Sequence, residues 1–258
     1  MSDARAAGVR TDLDGPVCTI TLSRPEALNA QTPATWRALR EIGESLDPGV
    51  RVVVVRGEGR SFSAGLDRSV FAGASPDGAP TFAEMATMPP EECAALIASY
   101  QEAFTWLRRP EIVSVAAVQG HAIGAGFQLA LACDLRVLAD DAQLCMAETT
   151  LGIVPDLAGT KPLVEAVGRS RALEICLTGR RVPADEAERI GLATLVVARD
   201  ALDDTVADLV SALVAPPVEA VRETKALIAG AAQRTHAEQE AAERAAQTRR
   251  LRTLASGG

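Results

Sequence analysis

Two stretches of small residues in this chain could bind an oxyanion. Residues 63–67 read SAGLD and residues 120–126 read GHAIGAG. Small residues let the backbone approach a ligand, and a helix that begins just after the second stretch would leave free N–H groups at its first turn. Such donors stabilise an oxygen atom that gains negative charge. Tight turns between strand and helix also need glycine for steric reasons alone, so both interpretations stay open on these stretches by themselves.

Each stretch is predicted to follow a buried strand. Residues 51–56 contain four consecutive valines, and residues 112–118 are apolar except for one serine, which predicts two fully buried strands. Helices are predicted over 91–107 and 127–133 from their apolar residues. The order of strand, small-residue loop and helix therefore occurs twice, and an irregular surface loop is predicted over 71–90.

The chain is predicted to divide into an α/β core over residues 1–198 and a helical region over residues 199–258. The helical region carries apolar stripes at 202–213 and 221–228, followed by a tail rich in alanine, glutamate and arginine. We expect parts of these stripes to be buried between subunits, because single-core chains rarely leave long apolar faces exposed.

Composition excludes several classes of function. The 258 residues carry a formal net charge of -8 at pH 7, and clustered basic residues are what nucleic acids and anionic membranes require. No apolar run is long enough to predict a membrane span or a signal peptide. We therefore expect a cytoplasmic protein that binds neither nucleic acid nor membrane.

Nucleophilic hydrolysis and metal chemistry are also disfavoured. The sequence has two histidines, His121 and His236, and no GxSxG motif, so a serine or cysteine triad lacks its usual parts. Five cysteines occur singly in apolar runs without a CxxC pair, which is typical of reduced thiols in a core and predicts no metal site.

Several motifs occur together in order and at the right spacing to identify a family. They are SRPEALNA at 23–30, FSAGLD at 62–67, QGHAIGAGFQLA at 119–130, ETTLGIVPDLAGT at 148–160 and LTGR at 177–180. In this order they resemble the crotonase-like family, the enoyl-CoA hydratase/isomerase superfamily, over roughly residues 15–230.

This resemblance implies a fold and an oxyanion site. The implied fold is a spiral of repeated ββα units followed by C-terminal helices that form trimers, often paired into hexamers. The implied oxyanion donors are the backbone N–H groups of Leu66 and Ala125, which would bind the thioester oxygen of an acyl-CoA. No separate cofactor is implied, because coenzyme A arrives as part of the substrate.

The resemblance also implies where coenzyme A would bind. Ala64 and the residues Glu26, Ala27 and Leu28 match positions that line the adenine and phosphate region, and Arg24 and Arg68 are candidate phosphate partners. Relatives often continue into a last helix beyond the position of residues 249–252, so the way in which the adenine end is closed stays open.

The reaction depends on three polar positions. Hydratases of the family use two glutamates, but the first of these positions is Gln128, and an amide cannot accept a proton from water. The second is Glu148, and Asp156 matches a catalytic aspartate of dienoyl-CoA and ring-opening isomerases. We therefore expect double-bond isomerisation by Glu148 and Asp156.

Other interpretations stay open. The protein could be a 2-enoyl-CoA hydratase, a dehalogenase-like enzyme with a nucleophilic aspartate, or a catalytically silent acyl-CoA binding homologue. On local grounds alone Asp156 could cap the helix that begins near Thr160, Asp67 could brace its own loop, and Gln128 could satisfy a buried carbonyl group. His121 is expected to be structural.

Overall fold

The computed structural model of the protein describes residues 7–75 and 78–256. Its strands are β1 Val9–Asp14, β2 Val17–Leu22, β3 Val52–Gly57, β4 Val113–Val118, β5 His121–Ile123, β6 Leu135–Ala139, β7 Gln143–Cys145, β8 Val182–Pro183 and β9 Leu195–Val197. Its α-helices are α1 Pro33–Glu44, α2 Arg68–Phe71, α3 Phe82–Thr87, α4 Pro90–Thr105, α5 Ala125–Ala132, α6 Thr160–Val167, α7 Arg169–Thr178, α8 Ala184–Arg189, α9 Leu202–Val214, α10 Val218–Ala231 and α11 His236–Ala255.

The strands form two sheets that the chain visits in turn. One sheet has six strands in the order β1-β2-β3-β4-β6-β9, and the other has three in the order β5-β7-β8. Strands β4 and β6 of the large sheet are each followed by a strand of the small sheet, β5 and β7. This alternation is the predicted spiral of ββα units, so the predicted α/β fold class is confirmed.

The large sheet is buried on both faces, which explains the run of four valines. Val53 and Val55 face the main core, whereas Val52 and Val54 face a second cluster beneath α9. Alternate residues of a strand point to opposite faces, so a strand covered on both sides is apolar throughout.

Helix α9 packs on the large sheet. Leu202 and Val206 are buried against this sheet, and Leu209, Val210 and Leu213 are half-buried against the same cluster. This apolar stripe is therefore partly covered by its own chain, and its burial between subunits stays a prediction. None of the described helices combines the length and the apolar composition that a membrane span requires.

The prediction of an irregular loop over 71–90 is partly wrong. Residues 76 and 77 lie outside the described residues, but Phe82–Thr87 forms α3. Thr81 and Glu84 make a capping box, in which the Glu84 carboxylate accepts a hydrogen bond from the Thr81 N–H over 2.8 Å. Such reciprocal capping stabilises a short helix that has little apolar periodicity. The five cysteines are free thiols, and Cys18, Cys133 and Cys145 are buried.

Candidate active site

The two small-residue stretches run side by side. The Ser63 N–H donates to the His121 carbonyl over 2.8 Å, and the Ile123 N–H donates to the Ser63 carbonyl over 3.0 Å. Ser63 and Ala122 form an isolated parallel bridge, so the first stretch extends the edge of the small sheet at β5. This pairing places the residues that follow Ser63 beside the start of α5.

Two backbone N–H groups are left free where the stretches meet. Hydrogen bonds between Gln31 and the peptide groups of Gly65 and Asp67 hold the first stretch in place. Helix α5 begins at Ala125, and the N–H of a residue in the first turn of a helix has no acceptor within the helix. Within residues 7–75 and 78–256, neither the Leu66 N–H nor the Ala125 N–H has an acceptor. Both residues line the same cavity.

That cavity has a volume of about 430 Å³ and is lined mainly by apolar side chains. They include Trp36, Phe71, Phe82, Met85, Tyr100 and Leu157. The ring centroids of Phe71 and Phe82 lie 5.0 Å apart, and those of Trp36 and Tyr100 lie 4.9 Å apart. Its size and apolar walls are typical of a small-molecule site with a few polar groups.

Glu148 is a buried carboxyl group on the wall of this cavity. It begins the 3₁₀ helix Glu148–Leu151, and only 5 % of the residue is exposed. Its Oε1 accepts a hydrogen bond from Gln128 over 2.7 Å, whereas its Oε2 is buried without a partner among the described residues. Burial raises the pKa of Glu148, and the nearby Asp156 carboxylate adds to the rise.

Asp156 lies on the same cavity and does not cap a helix. The N-cap of α6 is Gly159, with no side-chain capping bond, so the local capping interpretation is not observed. The Asp156 backbone carbonyl accepts a hydrogen bond from Gln101 over 2.7 Å. Burial raises the pKa of the Asp156 carboxyl group. The structure therefore brings the two predicted carboxyl groups to one cavity.

Gln128 contacts both carboxyl-bearing segments. Its amide nitrogen donates to Glu148, and its amide oxygen accepts from the N–H groups of Leu157 and Gly159 over 2.9 Å and 3.2 Å. Its partners are thus a carboxylate and two N–H groups, which corrects the alternative that it merely satisfies a buried carbonyl. These partners fix which atom of the amide is the nitrogen, because the nitrogen must face the carboxylate and the oxygen must face the two N–H groups.

The residues predicted to line the coenzyme A region come from two segments that a hydrogen bond joins. The Ala64 N–H donates to the Leu28 carbonyl over 2.8 Å, so the turn containing Glu26 and Ala27 is held against the first small-residue stretch. Leu28 has a φ of 51°. The structure therefore brings Ala64 beside this turn.

The two predicted phosphate partners differ in their surroundings. The Arg24 guanidinium binds the Asp67 carboxylate over 2.9 Å and donates to the Ala30 carbonyl over 2.9 Å, so it already braces its own loop. Arg68 is exposed and lines the cavity, and within the described chain its side chain forms no ion pair. Arg68 is therefore the better placed of the two for an anionic ligand.

Asp67 and His121 do not contribute to the cavity lining. Asp67 accepts a hydrogen bond from the Ser69 N–H at the start of α2 over 3.0 Å. Burial by itself would raise the pKa of Asp67, but hydrogen bonds from Ser69 and the Arg24 guanidinium outweigh it, so the pKa is lowered. His121 lies outside the cavity lining, and burial together with Arg181 lowers its pKa.

Gln101 and the pair of Phe71 and Phe82 belong to the site although no sequence motif predicts them. Gln101 follows Tyr100 on α4 and holds the backbone of Asp156. A single polar residue on a partly exposed helix is common, and Gln101 belongs to none of the sequence motifs. The phenylalanines fall in the segment predicted to be irregular, where nothing in the local sequence indicates that their rings meet.

The family model for enoyl-CoA hydratase/isomerase matches residues 12–255. The crystal structure of a candidate enoyl-CoA hydratase from Thermobifida fusca in complex with CoA is 50% identical, with a TM-score of 0.94, and the match covers 99% of this chain and 97% of that one. The same protein in complex with acetoacetyl-CoA is 51% identical, with a TM-score of 0.94 and 98% of each chain covered.

A more distant relative carries a different activity name. The carnitinyl-CoA dehydratase of Citrobacter koseri is 38% identical over 204 residues, which are 78% of this chain and 72% of the relative. Together with the ββα spiral and the paired small-residue loops, these matches show that the chain belongs to the enoyl-CoA hydratase/isomerase family.

Proposed function

We propose that the protein isomerises a double bond of an acyl-CoA thioester through an enolate intermediate. The resemblance of the Thermobifida fusca structures, which hold CoA and acetoacetyl-CoA, supports an acyl-CoA as substrate. The apolar cavity supports a largely apolar acyl group.

The thioester oxygen receives hydrogen bonds from Leu66 and Ala125. When the substrate loses a proton next to the thioester, this oxygen gains negative charge. The two free N–H groups stabilise that charge, and one such donor contributes about 10²–10³-fold in rate. The donors belong to the backbone, so the side chain at Leu66 can vary without loss of this contribution.

Glu148 and Asp156 move the proton. The ionised carboxylate of one takes a proton from one carbon, and the electrons of that C–H bond form the enolate. The protonated carboxyl group of the other then gives a proton to a carbon farther along the chain as the double bond moves. The two groups have then exchanged protonation states, which proton exchange with water restores.

One observation carries this choice of reaction. The amide of Gln128, rather than a second carboxylate, lies 2.7 Å from Glu148 Oε1. Both its donor and its acceptor already have protein partners. The site therefore lacks the second glutamate that would share in activating water, whereas Asp156 supplies a second carboxyl group on the cavity.

For coenzyme A we propose contacts from Ala64, from the turn of Glu26, Ala27 and Leu28, and from Arg68. The hydrogen bond between Ala64 and Leu28 and the exposure of Arg68 support this assignment. Arg24 contributes by holding the loop, because its guanidinium is already paired with Asp67. No further cofactor enters the reaction.

The second candidate is hydration of a 2-enoyl-CoA, which the hydratase and dehydratase names of the relatives favour. Product analysis by chromatography on matched 2-enoyl-, 3-enoyl- and dienoyl-CoA thioesters separates the two. We expect double-bond isomers as the main products and slow formation of the 3-hydroxyacyl thioester. Rapid hydration would support the second candidate, and binding without any turnover would show a catalytically silent protein.

A further inference from the structure

The amide group of Gln128 joins the two carboxyl-bearing segments of the site. The residue lies on α5 and is 1 % exposed, and its amide contacts the side chain of Glu148 and the backbone just after Asp156. We infer that Gln128 is a positioning residue that holds the Glu148 carboxyl group and the loop of Asp156 in one fixed arrangement. Its catalytic consequence rests on the proposed function, whereas the arrangement itself can be tested without it.

On one side, Gln128 fixes the orientation of Glu148. Its N–H donor reaches Oε1 over 2.7 Å and leaves Oε2 as the oxygen without a partner in the described chain. Gly124 leaves room for this carboxyl group, because a Cβ added there would lie only 3.3 Å from Oε1. A hydrogen bond to a charged acceptor is stronger than one between neutral groups, so this contact restrains the carboxylate.

On the other side, Gln128 fixes the loop of residues 156–159. Its carbonyl oxygen accepts from Leu157 and Gly159, which flank Ala158. Ala158 has a φ of 62°, a conformation that costs a non-glycine residue energy and persists only where neighbouring contacts hold it. Gly159 permits the close approach, because an added Cβ would lie 2.6 Å from the Gln128 side chain.

A neutral amide offers the donor and the acceptor that the two sides require at the same time. A glutamate at this position would keep an acceptor for the two N–H groups but would set a carboxylate oxygen against Glu148 Oε1. A methionine of similar length would offer neither the donor nor the acceptor. Gln128→Glu and Gln128→Met therefore separate the two halves of the contact.

The test compares these variants with a matched control. Gln119 is also buried, and its amide donates to the Gly57 carbonyl, away from the cavity. Gln119→Met therefore reports the effect of removing a buried glutamine as such. The measurements are amide hydrogen exchange at Leu157 and Gly159, crystal structures of the variants, and kcat and KM for isomerisation across pH.

We expect Gln128→Met to expose both amides to exchange, to release the Glu148 carboxyl group in the crystal structure, and to lower kcat by about 10- to 100-fold with little change in KM. Gln128→Glu should keep both amides protected yet lower kcat. In both variants the limb of the kcat profile that reflects Glu148 should move to higher pH, since the Glu148 carboxylate loses its hydrogen-bond donor. The titratable groups that face Glu148 are Asp156, Cys145 and Cys176.

Two results would overturn this inference. One is unchanged exchange and an unchanged loop and Glu148 position in folded Gln128→Met. The other is a loss in Gln119→Met as large as that in Gln128→Met, which would indicate a general effect on stability. If the native protein isomerises no thioester, the proposed function fails, but exchange and the crystal structures still decide whether Gln128 holds both segments.

Discussion

Gly65 lies so close to Ile123 that a Cβ added at Gly65 would stand 2.4 Å from the Ile123 carbonyl oxygen. The same position lies 3.6 Å from the Ala125 nitrogen, and Gly65 has a φ of 87°. This contact sets the distance between the two loop segments whose backbones carry the Leu66 and Ala125 N–H groups. A glycine is therefore required here both for its conformation and for its lack of a side chain.

We expect Gly65→Ala to push the two loops apart and to reduce turnover by at least about 10²-fold, as the loss of one oxyanion donor would. Gly73→Ala is the matched control, since Gly73 has a φ of 85° but open space around its Cβ position. The control should cost only about 1–2 kcal/mol of stability from its backbone conformation and leave turnover unchanged. Urea unfolding and steady-state kinetics measure both, and equal activity in the two variants would refute the steric argument.

Ala125→Pro should remove one oxyanion donor while the fold survives. Ala125 is the first residue of α5, a position at which proline is compatible with a helix. We expect the loss of its N–H to cost ~2.7–4 kcal/mol of transition-state stabilisation. Arg169→Pro is the control, because exposed Arg169 begins α7 after a glycine in the same way. A normal kcat in a folded Ala125→Pro protein would reject Ala125 as a donor.

Glu148→Gln and Asp156→Asn should each reduce isomerisation by about 10²–10⁴-fold, the usual contribution of a positioned acid or base. Affinity for the thioester should change little, because neither substitution alters the Leu66 and Ala125 donors. Calorimetric titration with an acyl-CoA and product analysis give the two quantities separately. If Asp156→Asn retains full activity while Glu148→Gln loses it, Glu148 acts without Asp156 and the proposed proton transfer is wrong.

The pH dependence of kcat/KM should reflect both carboxyl groups. Burial raises the pKa of each above the ordinary value of its residue type. One group must be ionised to take a proton, so activity should fall as pH drops through the lower pKa. The other must be protonated to give one, so activity should also fall as pH rises through the higher pKa. A profile that stays flat down to the pKa of a free carboxyl group would contradict this prediction.

The assembly state stays a prediction that the C-terminal helices support. Ile228 on α10 is 70% exposed, and Leu251 and Leu254 on α11 are 55% and 68% exposed. Apolar side chains of this size on a pair of helices favour a contact with other subunits. Light scattering should give the mass of three or six chains, and a monomer across the concentration range would exclude such assemblies.

The sequence by itself determined the family, the α/β spiral and four of the residues that meet at the cavity, Leu66, Ala125, Glu148 and Asp156. Motifs such as FSAGLD and GHAIGAG are local, and the conformations that they require depend mainly on glycine and on the strand before each loop. The run of valines in β3 likewise predicts burial on both faces of a sheet, because its apolar residues are continuous.

The tertiary structure alone decided how the polar groups pair. Gln128 reaches Glu148 and Leu157, which are 20 and 29 residues away, and periodicity carries no information about side-chain partners at such separations. Packing also decided that the apolar face of α9 lies against the large sheet. An apolar helix face can pack against its own chain or against a neighbouring subunit equally well. Strand β5 escaped prediction because its three residues lie within a stretch of small residues, and pairing with Ser63 and β7 defines it.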